Sequence, residues 1–137
     1  MADKLKLEMI TPYGEILATE VDDVVAPGVM GEFGVLPGHR SMLALLQVGE
    51  FSYLQKGKRN FVAVNWGYVD VHQDRVTVMV ETAEPADLID LERARRAMGR
   101  AEEALKKLSD EDKEYKLMEA ALARALIRIQ VAGRRGR

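Results

Sequence analysis

The chain has 137 residues, of which 47% are hydrophobic and 31% charged, the make-up of one ordinary domain or of a small domain with an appendage. It has no cysteine and only two histidines, His39 and His72, which excludes disulfides, thiol nucleophiles, thiolate metal sites and a histidine-rich metal centre. The net charge of −2 is divided unevenly: residues 1–87 carry seven basic and thirteen acidic side chains, net −6, and residues 88–137 carry thirteen and nine, net +4. A basic C-terminal part suits phosphate, nucleic acid or an acidic protein surface.

The opening "MADKLKLEMI" alternates charged and apolar residues and does not read as a signal or transit peptide. No run approaches the ~20 apolar residues of a membrane span. Within "KLKLEM", Leu5, Leu7 and Met9 alternate with Lys4, Lys6 and Glu8, the period of a half-buried strand. "TPYGE" is a turn, and "EILATEVDDVVAP" continues in β-branched residues. The run Pro27 to Leu43, "PGVMGEFGVLPGHRSML", is dense in glycine. "FSYL", a "KGKR" turn, "NFVAVNWGYVDV", a "HQDR" turn and "VTVMVET" follow. Val76, Val78 and Val80 share one face, and Trp66-Gly67-Tyr68 is assigned to the packing of the sheet. Short strands with frequent turn signals predict an N-terminal antiparallel β-sandwich or barrel over residues 1–87.

The texture changes at Glu84-Pro85-Ala86-Asp87. Asp87 is assigned as an N-cap, with Asp90 completing a capping-box-like pair. Leu88, Leu91, Ala94, Ala97, Met98, Ala101, Ala104, Leu105 and Leu108 form a helical stripe. "SDED" breaks it, and Ser109 offers a second cap. A second helix runs from about Glu111 to Val131, with Leu117, Ala121, Leu122, Ala125 and Ile129 in periodic positions, and "AGRRGR" frays. Residues 88–137 thus read as an antiparallel two-helix hairpin. Its alanine-rich seam buries little area, and Gly99 costs roughly 1 kcal/mol against alanine. The hairpin therefore depends on docking, and a weakly docked unit can switch.

Gly28, Gly31 and Gly34 give G-x-x-G-x-x-G. This matches neither a dinucleotide loop, which needs G-x-G-x-x-G before a helix, nor a Walker loop, because Gly38-His39-Arg40 stands where Lys-Ser/Thr would. The glycines are read as suppliers of positive φ, stiffened by Pro37, or as parts of a rigid contact loop in which Met30 and Phe33 are either contacts or core. Ser41, Ser52 and Ser109 lie in no strained nucleophile elbow, and His39 reads as a structural or interface histidine. On the first helix, Arg96 pairs with Glu92, Arg93 with Asp90 and Arg100 with Glu103 by spacing. On the second, Arg124 and Arg128 share a face with no local acid, which either solvation or an external anion would explain. Basic residues interleave with acidic ones and lack an aromatic platform, which argues against nucleic acid.

"GEFGVLPGHRSMLALLQVGEF" resembles the G-E-x-G-[IV]-x-P-G-H-x-x-[LM]-L-x-x-[IL]-x-x-G signature of the epsilon subunits of F-type ATP synthases. "VNWGYVDVHQDRVTVMVETAE", the Ala/Glu/Arg hairpin and the length match as well. Asn65-Trp66-Gly67, where a Gly-Gly pair is usual, and Arg40-Ser41-Met42, where Ala-Pro-Leu is usual, depart from the pattern. The resemblance implies a β-sandwich followed by a helical hairpin, with no active site and no required cofactor. It implies a place on the central stalk, bound to the gamma subunit and the c-ring, turning with the rotor and coupling proton flow to ATP synthesis. The membrane is met only through the c-ring, at the cytoplasmic face of the bacterial plasma membrane. The implied rotor contacts are Val29, Met30, Gly31, Glu32, Phe33 and His39.

The resemblance also implies that the helices restrain ATP hydrolysis by extending along gamma toward the acidic ends of the alpha and beta catalytic subunits. At ~1.5 Å per residue a 21-residue helix reaches ~31 Å. Ile89-Asp90-Leu91-Glu92-Arg93-Ala94 resembles the I/L-D-x-x-R-A motif with which some members bind a regulatory ATP. The implied set is Glu84, Ile89, Asp90, Arg93, Ala94, Arg100, Arg124 and Arg128. ATP held there favours the folded hairpin, because it binds that state better. A competing class is a stand-alone nucleotide-sensing module with a helical effector arm.

Overall fold

The computed structural model describes residues 3–135; positions 1–2 and 136–137, the outermost parts of the two predicted domains, lie outside them. Ten strands form among the described residues: β1 (Leu5–Thr11), β2 (Gly14–Val21), β3 (Asp23–Gly28), β4 (Gly31–Val35), β5 (Met42–Leu46), β6 (Gly49–Gln55), β7 (Lys58–Val64), β8 (Gly67–His72), β9 (Arg75–Val80) and β10 (Ala83–Pro85). They pair in the order β10-β7-β6-β3-β5-β8-β9-β1-β2, with β4 added on β3. The pairs are antiparallel apart from β1 against β9, which run parallel with Leu7 opposite Val76 and Met9 opposite Val78.

The period-two patterns bury the residues they predict. Leu5, Leu7 and Met9 from β1 meet Val76, Val78 and Val80 from β9 in one core with Val69, Val71, Leu46, Val24 and Phe51. The sheet thus folds over a single apolar interior. Its polar cross-link is satisfied: Arg59 donates to both carboxylate oxygens of Asp23, at 2.6 and 2.8 Å, and to the hydroxyl of buried Ser52 at 2.9 Å.

A single 3₁₀ turn at Ala86–Leu88 leads to α1 (Leu91–Lys107) and α2 (Lys113–Ala132). The N-cap of α1 is Asp90, not Asp87: its carboxylate accepts from the Arg93 amide at 3.0 Å. The residues before it are held in the 3₁₀ turn, so Leu88 leaves the predicted stripe and is 75% exposed. The second helix starts two residues later than its period predicts, after Asp112, whose carboxylate accepts from the Ser109 amide at 2.8 Å. Ser109 shapes the interhelical turn rather than capping α2.

The ion pairs on α1 also differ from the spacing-based set. Glu92 binds Arg95 at 2.9 Å and Glu103 binds Lys106 at 3.2 Å. Asp90 is occupied by a backbone amide, and an acid N-terminal to its cation is the arrangement the helix dipole favours.

Ala94, Ala101 and Ala125 are buried, where small side chains let α1 and α2 approach closely, whereas Leu117 is 63% exposed and outside the packed stripe. The open end of the hairpin docks on the sandwich through Ala63, Ala86, Ile89, Val131 and Ala132, with Phe61, Leu91 and Ile127 around them. The predicted fraying does not hold for residues 133–135, where Arg134 and Arg135 are anchored by side-chain bonds; Gly136 and Arg137 lie outside the described residues.

Candidate functional site

The glycine-rich run is a hairpin followed by a turn. Gly28 pairs with Gly31 across the two-residue tip Val29–Met30. Positive φ is needed at Gly31 (127°) and Gly38 (88°), but not at Gly28 or Gly34, which corrects the uniform reading of the three glycines. Gly28 is required by close approach: a Cβ there would lie 2.7 Å from the Gly31 carbonyl oxygen. At Gly34 the nearest atom would be 3.8 Å away, an ordinary contact. Leu36-Pro37-Gly38-His39 closes with the His39 amide donating to the Leu36 carbonyl at 3.1 Å, and Pro then Gly at its centre is the chemistry of a type II turn. The Gly38 amide donates to Asp74 at 2.7 Å, tying this turn to the β8–β9 turn.

Val29, Gly31 and Glu32 are exposed, Met30 almost completely so at 99%, while Phe33 is partly buried against the core. The open alternative for Met30 and Phe33 thus divides, with Met30 at the surface and Phe33 against the core. His39 is half-buried, its Nδ1 hydrogen-bonded to the Arg40 carbonyl at 2.7 Å. Ser41 bonds His72 at 3.0 Å instead of His39.

Trp66 and Tyr68 do not pack the interior; they stand 51% and 50% exposed on the outer face. Buried Asn65 accepts from the Trp66 amide at 2.8 Å, and Gly67 lets β8 press against β9. Strand register then aligns Leu45, Tyr68, Met79 and Ile10 in one apolar row across β5, β8, β9 and β1. With Val29 and Trp66 this row lines an apolar depression of about 600 Å³, with Glu81 at its rim. The signal was present in "MLALL" and "WGYV", where apolar residues occupy both faces of a strand; an antiparallel sheet with one wet face would not need that.

The implied ATP-binding residues are spread over β10, the linker and both helices. Glu84, Arg124 and Arg128 line one hollow of about 110 Å³ between the sandwich and α2, together with Asn65 and Thr82. Arg128 donates to Glu84 at 2.5 Å, so its acid comes from 44 residues away rather than from its own helix. Ile89 and Ala94 are buried, and Asp90 is the cap of α1. Arg93 and Arg100 are exposed; Arg100 lines a separate recess on α1 beside Arg96 and Lys107. Among the described residues no group of three or more acidic or histidine side chains is placed to hold a metal, and no helix is long and apolar enough to cross a membrane.

The described residues form a β-sandwich with an apolar outer row that carries a docked two-helix hairpin. Residues 4–86 match the family model of the ATP synthase delta/epsilon chain β-sandwich domain, and residues 87–133 match that of the ATP synthase delta/epsilon chain long α-helix domain. The chain belongs to the ATP synthase delta/epsilon chain family. It is 61% identical to the ATP synthase epsilon chain of Geotalea daltonii and 60% identical to that of Geobacter sulfurreducens. Each alignment covers all of this chain and 99% of the relative.

Among solved structures, a chain of the Euglena gracilis mitochondrial ATP synthase superposes with a TM-score of 0.80 at 23% identity, over 94% of this chain and 81% of that one. A chain of the Tetrahymena thermophila mitochondrial ATP synthase central stalk and c-ring superposes at 0.62 with 14% identity, over 96% of each. Both likenesses carry the fold.

Proposed function

We propose that the chain works as the epsilon subunit of a bacterial F-type ATP synthase, a non-catalytic part of the central stalk that couples proton flow to ATP synthesis. The observation that carries this reading is the apolar row of Leu45, Tyr68, Met79 and Ile10 with Trp66. A surface of this kind costs free energy in water and is stabilised by a permanent partner. The gamma subunit covers that row, and the Val29–Met30 tip with Gly31, Glu32 and the neighbouring His39 turn meets the c-ring. The protein then sits at the cytoplasmic face of the plasma membrane without entering it. Co-elution of the purified chain with gamma tests the assignment, and failure to associate removes it.

The hairpin is the regulatory part. Released from its small, alanine-rich seat, it reaches along gamma toward the alpha and beta subunits and restrains ATP hydrolysis. Deleting residues 88–137 then raises hydrolysis by the assembled complex, and unchanged hydrolysis refutes the restraint. ATP opposes release by binding Arg124 and Arg128, which share a hollow with Glu84 only while the hairpin is docked. Calorimetry with ATP on the wild type and on Arg124→Ala/Arg128→Ala tests this; no heat from the wild type at millimolar ATP rejects it.

A further inference from the structure

The last described residues do what no periodic signal assigns to them. After α2 ends at Ala132, Arg134 and Arg135 turn to opposite neighbours. Arg134 donates Nε and Nη2 to the two carboxylate oxygens of Glu50, at 2.9 and 3.2 Å, and its guanidinium carbon lies 5.2 Å from the centroid of the Phe61 ring. Both contacts are on the sandwich, at β6 and β7. Arg135 instead donates Nε to the Ala86 carbonyl at 2.8 Å and Nη2 to the Ile89 carbonyl, both in the linker that joins the two domains. Among the described residues Arg135 has no carboxylate within ion-pair distance.

We propose that Arg134 and Arg135 form a two-point latch that holds the hairpin closed on the sandwich. Arg134 ties the end of α2 to β6 and β7, so the hairpin cannot leave without separating a bidentate pair and a cation–aromatic contact. Arg135 ties the same end to the start of the hairpin, fixing the linker about which it would swing. Three of the five buried residues of the neighbouring apolar seat are alanine, so directional bonds add to the docking. Glu50, hydrogen-bonded to Arg134 and attracting its charge, also raises the arginine pKa above its ordinary value. The consequence for ATP hydrolysis rests on the regulatory reading of the hairpin above; the latch itself does not.

The test uses the full chain. Because it lacks cysteine, spin labels can be placed at Glu20→Cys on β2 and Lys116→Cys on α2 and their separation measured by pulsed electron resonance. The wild type gives one dominant distance, that of the docked hairpin, and an opened hairpin gives a different one. Arg134→Ala raises the open-to-closed ratio about tenfold, the size expected of a partly exposed, charge-assisted bidentate bond, and Glu50→Gln shifts it the same way. The exchange Arg134→Glu with Glu50→Arg restores the closed population. Arg135→Ala speeds hydrogen exchange at the amides of residues 86–90.

If Arg134→Ala and Glu50→Gln both keep the wild-type distances, or if the swapped pair behaves as its single variants do, the sandwich arm is refuted. Unchanged exchange in Arg135→Ala refutes the linker arm. Should Arg134→Ala lose protection of the strand amides, Glu50→Gln decides alone. Wild-type distances overturn the latch whatever hydrolysis does; an opened hairpin with unchanged hydrolysis in the complex overturns the regulatory reading and leaves the latch standing.

Discussion

Trp66→Ala removes the largest side chain on the outer apolar row without touching the interior. Trp66 is 51% exposed in the free chain. A tryptophan side chain carries about 250 Å² of surface, so a partner that covers it takes ~125 Å² from water, about 3 kcal/mol at ~25 cal/mol per Å². Buried area converts imperfectly into affinity, but a central aromatic anchor is where the conversion is best. The expected outcome is a loss of about 2–3 kcal/mol in association with gamma, a rise of about 30- to 150-fold in Kd. The thermal midpoint should stay within about 2 °C of the wild type, since a half-exposed residue outside the core is removed. Isothermal titration of purified gamma gives the first quantity and a melting curve the second. Lys58→Ala, at the start of β7 away from the row, serves as the control and should bind as the wild type does. A change below about threefold with Trp66→Ala, in a protein that melts normally, would refute the assignment of this face to gamma.

Gly67→Ala should abolish or severely destabilise the folded sandwich, by more than ~3 kcal/mol, because its Cβ would lie 2.0 Å from the Met79 carbonyl oxygen and 2.7 Å from the Val80 Cα; a normal denaturant midpoint would contradict this. Gly31→Val, with φ at 127° and no neighbour within 4 Å, costs ~1–3 kcal/mol of backbone strain and should weaken c-ring binding before it melts the sandwich, as a pull-down beside a melting curve would reveal. Asp90→Ala removes the cap of α1 and should cost about 1 kcal/mol, read as faster exchange of the Arg93 amide.

Burial raises the Tyr53 pKa above its ordinary value of 10.0. The unfolded chain therefore loses this proton first as pH rises. The contribution is whole below pH ~10 and declines as pH climbs from there toward the folded value. Tyr53→Phe should flatten that alkaline decline in a pH series of melting curves; an unchanged slope would count against the burial.

Much of the sandwich was readable because alternation is a local property. A strand with one buried face writes Leu5, Leu7 and Met9, or Val76, Val78 and Val80, at every second place, and those residues are the core. The glycine run was readable as a turn for the same reason, although its glycines serve different ends: positive φ at Gly31 and Gly38, and close approach at Gly28. Helix identity was likewise local, whereas the cap was not. Asp87 and Asp90 are equivalent as letters, and the choice fell to Asp90 because residues 86–88 are held in a tight turn against β7 and α2.

By itself the sequence determined two things: a β-rich part followed by a helical pair, and a signature run with a family resemblance covering the whole length. Periodicity and turn chemistry depend only on neighbours in the chain. The tertiary structure decided which face of each strand looks outward, and so moved Trp66 and Tyr68 from interior to surface. It also decided the charge partners. Arg128 meets Glu84, Arg59 meets Asp23 and Arg134 meets Glu50 across 44, 36 and 84 residues. No spacing rule reaches such distances, because the pairing is set by strand order and by where the hairpin lands.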